Sequence, residues 1–140
     1  MNSPGLFWDA CALVPLLIKE VHSEEVQKVW RETGDAYAWE WVLVEVEACL
    51  IRRKASPEIW RDWRKMQRKL RLFALQPEDT GSLRLMNRSL GLRAADAGHL
   101  FIFNSLIHVF QDLQLISFDQ EMVQAAQRLG LPIHSACIHA

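Results

Sequence analysis

Leu6-Phe7-Trp8-Asp9-Ala10-Cys11-Ala12-Leu13-Val14 sets the architecture of this chain. Three apolar residues stop at an acid, and an apolar helical stretch from Leu13 to Ile18 follows, with an amphipathic one from Glu24 to Glu32. The same punctuation returns near the other end. Leu113 to Phe118 is a strand pattern closed by Asp119, and the helical pattern Glu121 to Leu129 follows and stops at Gly130. A strand closed by an acid and followed by a helix, twice over, points to a parallel sheet with carboxylates on its carboxyl edge, where open α/β sheets bind their ligands.

Between these ends the period keeps switching. Gly34-Asp35 breaks the chain before a second strand, Ala36 to Trp39, and a helix runs from about Val42 to Lys54. Ser56 suits a helix N-cap and Pro57 the first helical position, and one apolar stripe of Ile59/Trp60, Trp63, Met66, Leu70 and Phe73 predicts a helix reaching Phe73. Further helices are expected from about Glu78 to Leu90, closed by Gly91, and from about Ala94 to Phe110. Leu131-Pro132-Ile133 reads as a final edge strand. The 140 residues carry no internal repeat and no linker, so a single domain over 1–140 is expected.

Composition narrows the function classes. With 16 Lys+Arg against 17 Asp+Glu the formal charge is -1, which excludes a uniformly basic nucleic-acid coat. The charge is nevertheless uneven, -6 over residues 1–50 and +5 over 51–140. Most of the excess lies in Arg52, Arg53, Lys54, Arg61, Arg64, Lys65, Arg68, Lys69 and Arg71, opposed only by Glu58 and Asp62. Such a run is either a solvated helix face or a phosphate-contacting patch. Cys11, Cys49 and Cys137 are odd in number and widely spaced, which suits a reducing compartment. The longest apolar run, Cys11 to Ile18, falls well short of the roughly 18 residues a membrane helix needs. It also lacks a basic segment before it, since the first cation is Lys19, and the expected location is the cytoplasm.

Four acids stand out. Asp9 and Asp119 end strand patterns, Asp96 falls in the first turn of a helix, and Glu45 sits among Val42, Val46, Cys49 and Leu50, where a carboxylate faces partly inward. Gathered in one cleft they would repel one another, and a divalent cation with hard oxygen ligands, Mg2+ or Mn2+, is the simplest compensation.

These residues resemble the four motifs of the PIN domain, the nuclease fold of VapC-type toxins. Phe7-Trp8-Asp9-Ala10-Cys11-Ala12-Leu13-Val14 is similar to its opening strand and turn. Glu45 with Ala48, Leu50 and Arg52 is similar to its second motif, and Leu92 to Leu100, with Asp96 and His99, to its third. Ile116-Ser117-Phe118-Asp119 is similar to the fourth, and Asp119 to Pro132 to the closing helix. The resemblance spans nearly the whole chain. It implies an α/β/α three-layer sandwich around a central, mainly parallel sheet of four to five strands.

It further implies an endoribonuclease that uses an activated water, with Asp9, Glu45, Asp96 and Asp119 as catalytic residues holding Mg2+ or Mn2+. The implied partners are an RNA substrate, a cognate VapB-type antitoxin and a second copy of the chain in a homodimer.

The chain departs from the pattern at Cys11, where the family has Ser, Thr or Asn. A thiol is the poorer hydrogen-bonding group, and Cys11 and Ser117 are the candidate supporting residues. Glu47 rivals Glu45 but lies about 200° around the helix from it. His99, three residues after Asp96, is either a proton shuttle or a core-facing structural histidine. His134, Cys137 and His139 match no metal-ligand spacing and read as packing residues. The six tryptophans suit core, partner pockets or base stacking. Two rival readings stay open: a catalytically weak or inactive PIN module that binds RNA or protein, and a phosphatase or receiver-like magnesium site, which leaves Glu45 without a role.

Overall fold

The structure, a computed structural model, describes residues 4–137. Four short strands, β1 (Leu6–Trp8), β2 (Ala36–Trp39), β3 (Leu70–Phe73) and β4 (Gln114–Ile116), form one sheet in the order β3-β2-β1-β4 with every pairing parallel. A single parallel bridge, Leu115 to Ile133, adds the trace of a fifth. Pro132 has no N–H to donate, but its carbonyl accepts from Leu115 at 3.0 Å.

Alternation along the strands sorts the side chains into two cores, as the two-residue period of a strand requires. Leu6, Trp8, Ala36, Ala38 and Ile116 face one side, under α1 (Ala10–Leu17), α2 (Ser23–Glu32), α3 (Trp41–Arg52) and α4 (Pro57–Gln67). Phe7, Tyr37 and Leu115 face the other, under α5 (Thr80–Leu90), α6 (Ala94–Leu106) and α7 (Gln120–Arg128). The fold is therefore a three-layer α/β/α sandwich with a central parallel sheet. Both sheet faces are covered, which is why β1 and β2 read as unbroken apolar runs rather than alternating ones, whereas the edge strand β3 carries exposed Arg71.

Several boundaries differ from those expected. The helix opened by Ser56, whose hydroxyl accepts from the Ile59 N–H at 3.3 Å, ends at Gln67, and Leu70–Phe73 is an edge strand paired with β2 from Ala36/Leu70 to Trp39/Phe73. A Leu and a Phe three apart satisfy a helix stripe and a strand equally, and the open edge of β2 decides for the strand. α1 starts at Ala10, directly after its cap Asp9, not at Leu13. α6 stops at Leu106, short of Phe110, whose ring instead packs 4.8 Å from that of Tyr37 and 6.1 Å from that of Phe73. β4 is shorter than Leu113–Phe118, because Ser117 and Phe118 spend their backbone N–H groups on the thiols of Cys137 and Cys11.

Candidate functional site

At the carboxyl edge of the sheet, Asp9, Glu45, Asp96 and Asp119 line one cleft of about 360 Å³, together with Cys11, Glu20, Cys49 and Arg52. The local structure explains each placement. Asp9 follows β1 and caps α1; Asp119 follows β4 and caps α7, its Oδ1 accepting from the N–H groups of Glu121 and Met122 at 3.0 and 3.3 Å. Glu45 and Arg52 are seven residues apart on α3, two turns along one face. Asp96 sits in the first turn of α6, so the cleft takes its acids from both helical layers.

Asp9 is the anchor. It is 4% exposed, and its carboxylate accepts from the Ala10 N–H at 2.8 Å, the Ser117 hydroxyl at 2.9 Å and the Cys11 thiol at 2.8 Å. Ser117 is fully buried and its oxygen also accepts the Asp119 N–H at 3.1 Å, so one hydroxyl ties the first acid to the backbone of the fourth. Burial, then the charge of Asp9 and the hydrogen bond to it, push the Cys11 thiol well above its ordinary pKa. Cys11 therefore stays protonated and donates to Asp9, as a hydroxyl at that position would.

Asp96 shows what crowding carboxylates costs. Its pKa is raised to about 6 by burial, by the charges of Asp119 and Asp9, and by a hydrogen bond with Asp119, against a lowering effect of His99. The carboxyl atoms closest to sharing one ion belong to Asp9 and Glu45; with His99 Nε2 they lie within 4.8 Å of one another. Asp96 and Asp119 line the same cleft outside that trio. The donor set of four carboxylates beside one imidazole, with one carboxylate already strained toward protonation, fits a hard divalent cation.

His99 is fully buried, as a core histidine would be, yet its partner belongs to the site: Nε2 lies 2.5 Å from Glu45 Oε1 and 3.6 Å from Asp9 Oδ1. Burial would lower its pKa, but the Glu45 hydrogen bond and the charges of Asp9, Glu45 and Asp96 outweigh that and raise it. Glu47 points elsewhere and accepts from the indole N–H of Trp63 at 3.0 Å. Glu20 is a fifth cleft carboxylate, held by Arg53 at 2.8 Å. It follows the end of α1, where no periodicity marks it. In the tail, His134 Nδ1 accepts from the Ala136 N–H and Cys137 is buried, whereas His139 lies outside the described residues.

All four acid-bearing segments thus converge at the carboxyl edge of a parallel sheet between two helical layers. The arrangement is the one that the resemblance to the PIN domain implies. No family model and no curated protein matches the sequence. Among solved structures, the chain is similar to Mycobacterium tuberculosis VapC20, a Sarcin-Ricin loop cleaving toxin, with 11% identity over 96% of this chain and 93% of that one and a TM-score of 0.46.

Proposed function

We propose that this chain is a metal-dependent endoribonuclease, the VapC-like toxin of a toxin-antitoxin module, with Asp9, Glu45, Asp96 and Asp119 holding Mg2+ or Mn2+. The observation that carries the reading is the meeting of these four carboxylates in one cleft, with Asp96 pushed up to about 6 by its neighbours. A divalent cation bound there supplies Lewis-acid chemistry: it lowers the pKa of water and offsets phosphoryl charge.

The chain's own residues do the rest. Asp9, locked by three donors, is a ligand that keeps its orientation, and Ser117 transmits that order to the Asp119 turn. Arg52 is the cation lining the cleft and takes part in no ion pair among the described residues. Its planar guanidinium suits a phosphate oxygen beside the scissile bond. Arg61, Arg64 and Lys65 on α4 and Arg68 just after it are exposed, and their positive charge raises the encounter rate with a polyanion.

The partners that belong to this reading are RNA, a VapB-type antitoxin and a second copy of the chain. Trp41, Val44 and Ile51 along the exposed face of α3 offer apolar area for a protein partner. A cytoplasmic location belongs to the same reading; no helix of the described residues is long and apolar enough to cross a membrane.

The test is incubation of antitoxin-free protein with a mixed cellular RNA pool in Mn2+ or Mg2+, beside EDTA and Asp96→Asn lanes. Discrete cuts confined to the metal lanes of the unaltered protein are expected. Intact RNA in every lane, although the protein binds metal, would favour the non-catalytic PIN module.

A further inference from the structure

The imidazole of His99 is the feature of the cleft that an acid-only site leaves unexplained. It comes from α6, in the layer opposite α3, and reaches over the carboxyl end of the sheet to Glu45 Oε1 at 2.5 Å. Its other nitrogen, Nδ1, is buried and finds no hydrogen-bond partner among the described residues. Only one of its nitrogens therefore has an acceptor. In the neutral ring the proton belongs on Nε2, where the Glu45 carboxylate accepts it, whereas a proton on Nδ1 would be buried with no acceptor and would leave the lone pair of Nε2 facing the carboxylate.

The ring is also fixed from behind. Trp39, at the end of β2, meets His99 edge-on with centroids 5.0 Å apart. The neighbouring Gly98 lets α6 lie directly on that indole, since a Cβ there would fall 2.5 Å from Trp39 Cζ3 and Cη2. Trp39 and the glycine thus set the height of His99 above the sheet. Glu45 has no comparable restraint: it is partly exposed, and His99 is the side-chain hydrogen-bond partner the structure gives it.

We infer that His99 is a positioning residue, a buried imidazole that holds the Glu45 carboxylate in the cleft and so pre-forms one ligand of the cation site across the two helical layers. The inference rests on the metal-site reading proposed above and deepens it. Glu45, left alone, has three side-chain torsions to order; with His99 in place that order exists before the cation arrives. Partners of this kind typically change metal affinity by about 10- to 100-fold.

The experiment titrates Mn2+ into the metal-free protein by calorimetry, for the unaltered chain, His99→Phe, His99→Gln, Glu45→Gln and the double variant His99→Phe/Glu45→Gln. His99→Phe keeps a ring but loses the donor and is expected to weaken Mn2+ about tenfold. His99→Gln offers an N–H at similar reach and should recover most of that loss. The double variant should bind no more weakly than Glu45→Gln, because Asp9, 3.6 Å from His99 and beyond hydrogen-bond distance, is held by its own three donors.

The hydrogen bond itself is read without metal, and without a substitution at position 99, from ¹⁵N-histidine spectra. One ring should be Nε2-protonated with a strongly downfield proton that disappears in Glu45→Gln. Equal Mn2+ affinity in folded His99→Phe, losses that add to those of Glu45→Gln, or a ¹⁴N coupling in the bound-Mn2+ resonance spectrum marking His99 as a direct ligand would each overturn the inference while leaving the metal site in place. Failure of the unaltered chain to bind Mn2+ would overturn both, and is told apart by that fact.

Discussion

Replacing Gly98 by alanine tests whether α6 is seated on Trp39 as described. The added Cβ would lie 2.5 Å from two ring carbons, roughly 1 Å inside ordinary van der Waals contact, and those carbons belong to a rigid indole wedged between Trp41 and His99. Against rigid ring carbons at this distance overpacking costs about 2–3 kcal/mol, against which alanine regains up to about 1 kcal/mol of helix propensity, leaving a net loss of about 1–2 kcal/mol. For a chain of this size that corresponds to a fall in Tm of roughly 3–10 °C. Gly81, in α5, has no atom within 4 Å of its would-be Cβ, so Gly81→Ala should be neutral or stabilising by up to about 1 kcal/mol. Thermal denaturation of the metal-free proteins measures both. A Gly98→Ala protein as stable as the unaltered chain would refute the packing that places His99.

Asp96 titrates near 6 in the folded chain against an ordinary 3.8, so the native state binds this proton more tightly than the unfolded one. The stabilisation this brings is complete below pH 3.8 and lost as pH rises through 6. Asp96→Asn should therefore melt higher than the unaltered metal-free protein at pH 8, with the difference fading toward pH 4. By the same proton, Mn2+ affinity measured by calorimetry should weaken as pH falls through 6, since binding must displace it. Arg52→Ala should weaken RNA binding in EDTA and reduce the slope of log affinity against log salt by about 1, as read by fluorescence anisotropy. Cys11→Ala removes one donor from buried Asp9 and should cost about 1–3 kcal/mol in urea denaturation, most of it recovered in Cys11→Ser.

Much of the fold was legible because its signals are local. Asp9 stops a strand and caps a helix at once, Asp119 caps the helix that follows β4, Gly91 and Gly130 close helices with φ of +66° and +69°, and Ser56-Pro57 opens one. What escaped depends on partners distant in the chain. Leu70–Phe73 is a strand only because β2 offers an edge, and Phe110 leaves its helix to fill a gap between rings. At the site, four acids could be read from their places after strands and within helices. The His99 spacing hinted at Asp96, three residues back, but the hydrogen bond goes to Glu45, 54 residues away. Glu20 carries no pattern, and its place in the cleft follows from the turn after α1 and from Arg53.

If this cleft hydrolyses RNA as proposed, water is the nucleophile. Cleavage run in ¹⁸O-labelled water with Mn2+, followed by analysis of the product ends, reads this out. One labelled oxygen in the terminal phosphate and no cyclic phosphate, with both cuts and label absent in EDTA, is the expected result. Unlabelled ends bearing 2′,3′-cyclic phosphate, formed equally well in EDTA, would contradict the account, because the ribose hydroxyl would then be the nucleophile and the four carboxylates would have no part in the reaction.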